Sequence, residues 1–402
     1  MQIELCNIDI SSHSVMPKKI QANYTYHNQI RLIRGGQEYF DLLEQLIHQA
    51  KETIYFQIYI FDEDDTGRTI AQALMAAAKR KVKVHLLLDG YASKSLSTEF
   101  VQELKEAGIN FRWYTSFIKN RKIYIGRRLH HKVIVIDGTK SLVCGLNISD
   151  RYNDTPENIA WLDWAAYTEG EASVELEQVC KRRIKDYSQH TLHNHYKNVQ
   201  GQTDNNNCTI KVLVNDWVGR KTEITNTYLQ MLKDASSHII IMSPYFLPGL
   251  AFRKSLRQAT QRGVTVQVIL TGISDIPLAK YGERYLYDWL MRYNIAIYEY
   301  QENVLHGKIA TCDGHWTTIG SYNVNNLSAY ASIELNLEVR NDVFATQTEG
   351  ALMRIIDVEC IQITKESYKH EINFVKRILQ GAAYNVLRFI LMLFTFRKQQ
   401  EE

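Results

Sequence analysis

Apolar and polar residues fall along this chain in short blocks whose period changes. Residues 53–61, TIYFQIYIF, form an almost unbroken apolar run with β-branched and aromatic members, as a strand buried on both faces does. TIAQALMAAAKRK (69–81) then spaces its apolar residues three and four apart and ends on basic residues, the pattern of an amphipathic helix. VKVHLLLDG (82–90) returns to strand character and stops at a glycine. The same succession recurs far down the chain as HIIIMSPYFL (238–247), AFRKSLRQATQRG (251–263) and VTVQVILTG (264–272). A strand-helix-strand order repeated at this distance is a duplicated α/β domain and not a solenoid, whose period is about 20–50 residues. The expected division is a lead at 1–27, one unit at 28–200, a second at 201–372 and a tail at 373–402, with the polar NVQGQTDNNNCT (198–209) as linker.

At 402 residues the chain exceeds what one ordinary hydrophobic core organises, in agreement with two units. It is 45% apolar and 23% charged with five prolines, a composition for compact folding throughout. A net charge of +3 is far below that of a dedicated nucleic-acid coat, so nucleic acid is a disfavoured partner. Positive charge is local instead: Lys119–Lys132 holds six Lys or Arg, as a solvated loop or a phosphate-attracting rim would. The six cysteines (Cys6, Cys144, Cys180, Cys208, Cys312, Cys360) form no C-x-x-C pair and read as free thiols of a reducing compartment. The start, MQIELCNIDISSHSVMPKK, lacks the apolar core of a secretory signal, and no run reaches the ~18 apolar residues of a spanning helix. The segment from about His370 to Lys398, which contains VLRFILMLFTF (386–396), reads as an amphipathic helix. Such a helix anchors the protein on a membrane surface, or packs on its own core or on a second subunit.

Chemistry concentrates in LHHKVIVIDGTKSLVCGLN (129–147). His130 and Lys132 lie two apart at a strand and so share a face, whereas Asp137 lies at an odd offset beside the D-G turn. LHGKIATCDGHWTTIGSYN (305–323) repeats the arrangement with His306, Lys308 and Asp313, and each histidine precedes an asparagine, Asn147 or Asn323, by seventeen residues. A metal site is the weaker reading, because a lysine ammonium on the histidine's face repels a divalent cation. A buried structural histidine does not explain a lysine beside it twice. The natural partner of two lysines is an anion, and a phosphoryl group fits: Lys132 and Lys308 neutralise it, Asn147 and Asn323 donate amide hydrogen bonds, and two histidines supply a nucleophile and a proton donor.

The doubled H-x-K-x4-D, followed by G-x-N or S-x-N, resembles the phospholipase D superfamily. YIFDEDDTGRTIAQAL, PYFLP and GSYNVNNLSAYASIELNLEV are similar to its bacterial cardiolipin synthases, over residues 28 to 372. The resemblance implies two α/β domains, mixed sheets flanked by helices, about a pseudo-twofold axis, with both motifs in one site that needs no metal or nucleotide. It implies His130 as nucleophile and His306 as acid and then base. A histidine-orienting carboxylate falls eleven residues after the asparagine, where Glu334 stands in the second half. In the first half that position is Asn158, and Asp163, after a five-residue insertion, is the equivalent expected. Asp137 and Asp313 belong to the named catalytic motif, but their parity places them at turns. The function implied is phosphatidyl transfer between two phosphatidylglycerols, with release of glycerol. The alternative is a hydrolase, a phospholipase or nuclease with water or another alcohol as acceptor. Two intact motifs disfavour an inactive binding module. The implied partner is a phospholipid at a membrane surface, met peripherally from the cytoplasmic face. Nothing in the pattern addresses oligomeric state.

Overall fold

A computed structural model describes residues 24–114, 118–119, 122–123, 127–184, 207–216, 219, 221–325, 328–329 and 332–396. Most of the expected linker, residues 198–206, lies outside these, as do Cys6 and residues 397–402.

Two mixed sheets dominate. The first consists of β1 (Asn28–Arg34), β2 (Thr53–Ile58), β3 (Lys83–Asp89), β4 (Asn110–Tyr114), β8 (Lys132–Ile136), β9 (Lys140–Cys144) and β10 (Trp164–Gly170), in the order β1-β10-β9-β8-β2-β3-β4. A small hairpin, β5 (Ile118–Lys119) and β6 (Lys122–Ile123), and the short β7 (Arg128–Leu129) stand apart from it. The second sheet contains β11 (Thr209–Asp216), β12 (Lys221–Thr222), β13 (His238–Met242), β14 (Thr265–Ile273), β15 (Ile295–Val304), β16 (Ile309–Cys312), β17 (Trp316–Gly320), β18 (Ser332–Arg340) and β19 (Cys360–Ile363). Its order is β12-β11-β18-β17-β16-β13-β14-β15-β19. The run β10-β9-β8-β2-β3-β4 and the run β18-β17-β16-β13-β14-β15 are the same arrangement twice, which is the duplication read from the sequence.

The helices Asp65–Lys79 and Leu250–Gln261 form where the apolar spacing predicted them, and pack on the outer faces of the two sheets. The inner faces share one core: Val133, Val135 and Val143 of the first half meet Ile309, Ile319, Leu335 and Leu337 of the second. Every residue of β8 is buried, so the strand behind the first motif is packed on both sides. Two crossings tie the halves at the edge of this core. β7 pairs in parallel with Ser332 and Ile333 of β18, and Leu162 bridges Leu305 in parallel. Arg127 and Arg183, both of the first half, pair with Asp216 of the second. Tyr24 and Thr25 reach Glu338 and Ile210 of the second half.

The C-terminal helix spans Phe374–Phe396. It packs on the helix Pro277–Arg284, with the Tyr384 and Tyr285 rings stacked at 4.9 Å. No described helix is long and apolar enough to cross a membrane.

Candidate active site

Both motif histidines stand just ahead of a strand, at the seam between the sheets, and the opposite half fixes each of them. His130 N donates to Ile333 O at 3.0 Å, because β7 runs beside the start of β18. Its Nδ1 lies 2.8 Å from Oε2 of Glu334, which is fully buried and also accepts from Ser321 Oγ at 2.5 Å. An ionised carboxylate only accepts, so Nδ1 carries the proton and Nε2 keeps its lone pair. The Tyr59 ring meets the imidazole edge-on at 4.7 Å. Lys132 is 1% exposed and its Nζ donates to His130 O at 2.7 Å.

The second half mirrors this and then departs from it. His306 N donates to Leu162 O at 2.7 Å, and its Nδ1 lies 2.7 Å from Oδ2 of Asp163. Lys308 Nζ is also 2.7 Å from that Nδ1, hydrogen-bonds His306 O, and lies 3.8 Å from Asp163 Oδ2. The His306 nitrogen is therefore shared between a carboxylate and an ammonium, where that of His130 has a carboxylate alone. Tyr152 and Trp161 wall the His306 ring at 5.2 and 6.1 Å.

Strand register makes Asp163 the counterpart of Glu334. Ala165 of β10 faces Cys144 and Asn336 of β18 faces Gly320, and each carboxylate precedes that residue by two. Between Asn147 and Asp163 the chain makes the turn Asp150–Tyr152, which delivers Tyr152 to the His306 ring. The difference between G-x-N and S-x-N has a physical reason as well. A Cβ on Gly145 would sit 2.4 Å from Asp163 Oδ1, whereas Ser321 at the same place donates its hydroxyl to Glu334.

Burial sets the electrostatics. It pushes Lys132 down to about 7, helped by the charge of Lys308, and pushes Lys308 down to about 8. Asp163 is raised to about 7 by the same desolvation, against the pull of Lys308. Desolvation lowers His130, opposed by Glu334, and holds His306 well below its ordinary value, reinforced by Lys308 and Lys132. Both imidazoles are thus neutral at pH 7. Lys132 and Asp163 thus both lie near their midpoints at pH 7, and a phosphodiester anion bound between the lysines favours their ammonium forms.

Asp137 and Asp313 do not join this centre. Asp137 accepts from Lys51 N, Glu52 N and Thr53 N at 2.8–2.9 Å, and Asp313 from Ser236 N, Ser237 N and His238 N at 2.7–2.9 Å. Each clamps the entry of the neighbouring strand, β2 or β13, from a turn position with φ of 51° or 52°. The asparagines differ. Asn147 is spent on the protein, accepting from Ile60 N and donating to Tyr152 OH, whereas the buried Oδ1 of Asn323 has no protein partner among the described residues. A half-turn of the amide exchanges O and N, so Asn323 is the one with a terminus for a ligand. Tyr59, Tyr152, Trp161 and Ser321 were not expected from the sequence. For Tyr152 and Trp161 the signal was the insertion itself.

The family described as "Cardiolipin synthase, PLD-like domain" matches residues 43–184 and 228–356, one copy in each half. Cardiolipin synthase B of Escherichia coli K12 is 33% identical over 340 residues, 84% of this chain and 82% of that protein. A cardiolipin synthase of Clostridium perfringens SM101 is 27% identical over 87% of this chain and 74% of its own. Among solved structures, a phosphatidylserine synthase of Haemophilus influenzae Rd KW20 superposes with a TM-score of 0.72 at 14% identity, covering 91% of this chain and 95% of its own. At that identity the likeness speaks for the fold.

Proposed function

The chain belongs to the cardiolipin synthase, phospholipase D-like family, and from that premise we propose that it transfers the phosphatidyl group of one phosphatidylglycerol to another. His130 Nε2 attacks phosphorus, and the glycerol oxygen leaves as His306, which takes up a proton when the phosphodiester anion binds, donates that proton. The product is a phosphatidyl-histidine and free glycerol. His306, now neutral, takes the proton from a hydroxyl of the second phosphatidylglycerol. That oxygen displaces His130 from phosphorus and gives cardiolipin. Lys132, Lys308 and the amide of Asn323 meet the charge that builds on the phosphoryl oxygens.

The observation that carries this reading is the crossed pairing, in which each neutral histidine is held at Nδ1 by a buried carboxylate of the other half. The order of roles follows from the difference between them. His130 has one acceptor at Nδ1 and thus a fixed tautomer, as a nucleophile needs. His306, between Asp163 and Lys308, is in the setting where a proton can come and go, and the phosphodiester anion favours its protonated form on binding. As a peripheral protein the enzyme meets its substrate at a membrane surface, and the five unpaired cysteines among the described residues fit the cytoplasmic face.

The test is mass spectrometry of products from isotopically labelled phosphatidylglycerol, with added EDTA. Labelled cardiolipin and an equal amount of glycerol are expected. Phosphatidic acid as the main product would show water to be the acceptor and the enzyme to be a hydrolase.

A further inference from the structure

The two halves differ at one corner of the repeated unit. Asp62 N bonds Ile148 O in the first half as Leu247 N bonds Val324 O in the second, and Asp64 and Gly249 are the N-caps of equivalent helices. The same corner therefore reads Asp62, Glu63, Asp64, Asp65 in one copy and Leu247, Pro248, Gly249, Leu250 in the other. Apolar exposure follows this split. Of the nineteen large apolar side chains exposed among the described residues, twelve lie at Leu250, between Ile273 and Tyr285, or on the C-terminal helix. Scattered exposure needs no explanation, but such a concentration marks an interaction surface.

The C-terminal helix shows how the surface is built. Gln380, Ala383, Tyr384 and Leu387 recur at three- and four-residue spacing and face inward. Leu387 lies so near Gly282 that a Cβ there would come within 2.7 Å of it. The opposite stripe, Val375, Ile378, Leu379, Val386 and Phe389, is exposed, and Phe374 at the start is 80% exposed. Beside it Ile273, Ile276, Leu278 and Tyr281 extend the apolar face, and a cleft of about 300 Å³ opens between Leu250 and Arg388. The helices Leu250–Gln261 and Phe374–Phe396 carry six Lys or Arg and no Asp or Glu. At the margin Asp288 and Glu371 are taken by Arg377 and Arg284.

This face is continuous with the site. Asp275, next to Ile276, accepts from Tyr245 OH at 2.6 Å, and Tyr245 O accepts from Asn325, two residues beyond Asn323. We propose that the loop before the helix Pro277–Arg284, together with the outer stripe of the C-terminal helix, docks on an anionic phospholipid monolayer, so that lipid reaches the site past the second half alone. An apolar face flanked by cations, on helices without acids and with the loop's Asp275 held by Tyr245 OH, is what the headgroup–acyl boundary of anionic lipid accommodates. The acidic Asp62–Asp65 corner of the first half is repelled by the same surface. The proposal rests on the phospholipid reading of the site.

Flotation with vesicles of phosphatidylglycerol and phosphatidylcholine tests it, alongside turnover of short-chain phosphatidylglycerol free in solution. Leu278→Asp combined with Phe389→Asp should reduce vesicle binding and turnover on vesicles roughly tenfold or more. Turnover of the short-chain lipid should be unchanged, which also shows that the variant folds. Ile159→Asp, an exposed apolar position of the first half, should float as the wild type does. Binding by the double variant equal to wild type overturns the proposal. So does joint loss of binding and short-chain turnover, which would place these residues in the fold, and so does a wild-type dimer in sedimentation that the double variant dissolves, which would make a second copy the occupant. Wild type that floats but turns over no phospholipid would refute the functional reading and leave the docking face standing.

Discussion

The two half-sites are built from one repeated motif, yet they are not chemically equal. Around His130 the carboxylate is a glutamate backed by a serine, the lysine is turned to a backbone oxygen, and the asparagine is tied down. Around His306 the carboxylate is a shorter aspartate admitted by a glycine, the lysine contacts the ring nitrogen, and the asparagine has a free terminus. Duplication supplies two histidines in a common frame, and small changes in their supports divide the work. A fixed tautomer suits nucleophilic attack, and a nitrogen balanced between opposite charges suits proton transfer.

The comparison is broken most directly by removing either histidine. His130→Ala and His306→Ala should each cost more than roughly 1,000-fold in kcat of folded enzyme on phosphatidylglycerol, because each ring is a reacting group. An alanine variant retaining a tenth of the wild-type rate would show that its half-site is dispensable. The supports should be unequal. Glu334→Gln should cost roughly 100-fold, because an amide can hold the imidazole in the wrong tautomer, and Asp163→Asn should cost less, since Lys308 still touches His306 Nδ1. Equal losses would erase the division of labour.

The pH profile sharpens it further. Lys132 and Lys308, lowered by burial to about 7 and about 8, lose their charge as pH rises through those values, far below a free lysine. In free enzyme kcat/KM should therefore fall from about pH 7 upward, and the corresponding limb of kcat should lie higher because bound phosphate favours the ammonium forms. A kcat/KM flat to pH 10 would contradict this. The smallest kinetic effect belongs to the motif aspartates. Asp137→Asn should lower stability by about 1–3 kcal/mol through its backbone N–H bonds and leave the kcat of folded enzyme unchanged.

Much of this was legible in the sequence, because the features concerned are local. Offsets of two residues at the start of a strand put His and Lys together and sent the aspartates to turns, and the helical and strand periods exposed the duplication. The crossed pairing was not legible. His130 and Glu334 are 204 residues apart, and only the pairing of β7 with β18 brings them together. Asp163 could be reached by counting past an insertion, but that Tyr152 and Trp161, on the segment between Asn147 and Asp163, wall the histidine of the other half depends on how the two sheets face each other. The tail read as an amphipathic helix for either a membrane or the protein itself. In the structure one stripe packs inward and the other is exposed, a division fixed by the helix Pro277–Arg284 that it covers.

The central claim is that His130 takes the phosphatidyl group and His306 moves the proton. A phosphatidyl ester of p-nitrophenol tests it, because that leaving group departs without protonation. Acid-sparing rapid quench and peptide mass spectrometry should find the adduct on His130 in His306→Ala enzyme, with a burst of one nitrophenolate per chain, and no adduct in His130→Ala. A phosphatidyl group on His306 in the His130→Ala enzyme, with none on His130 in the other variant, would contradict the account.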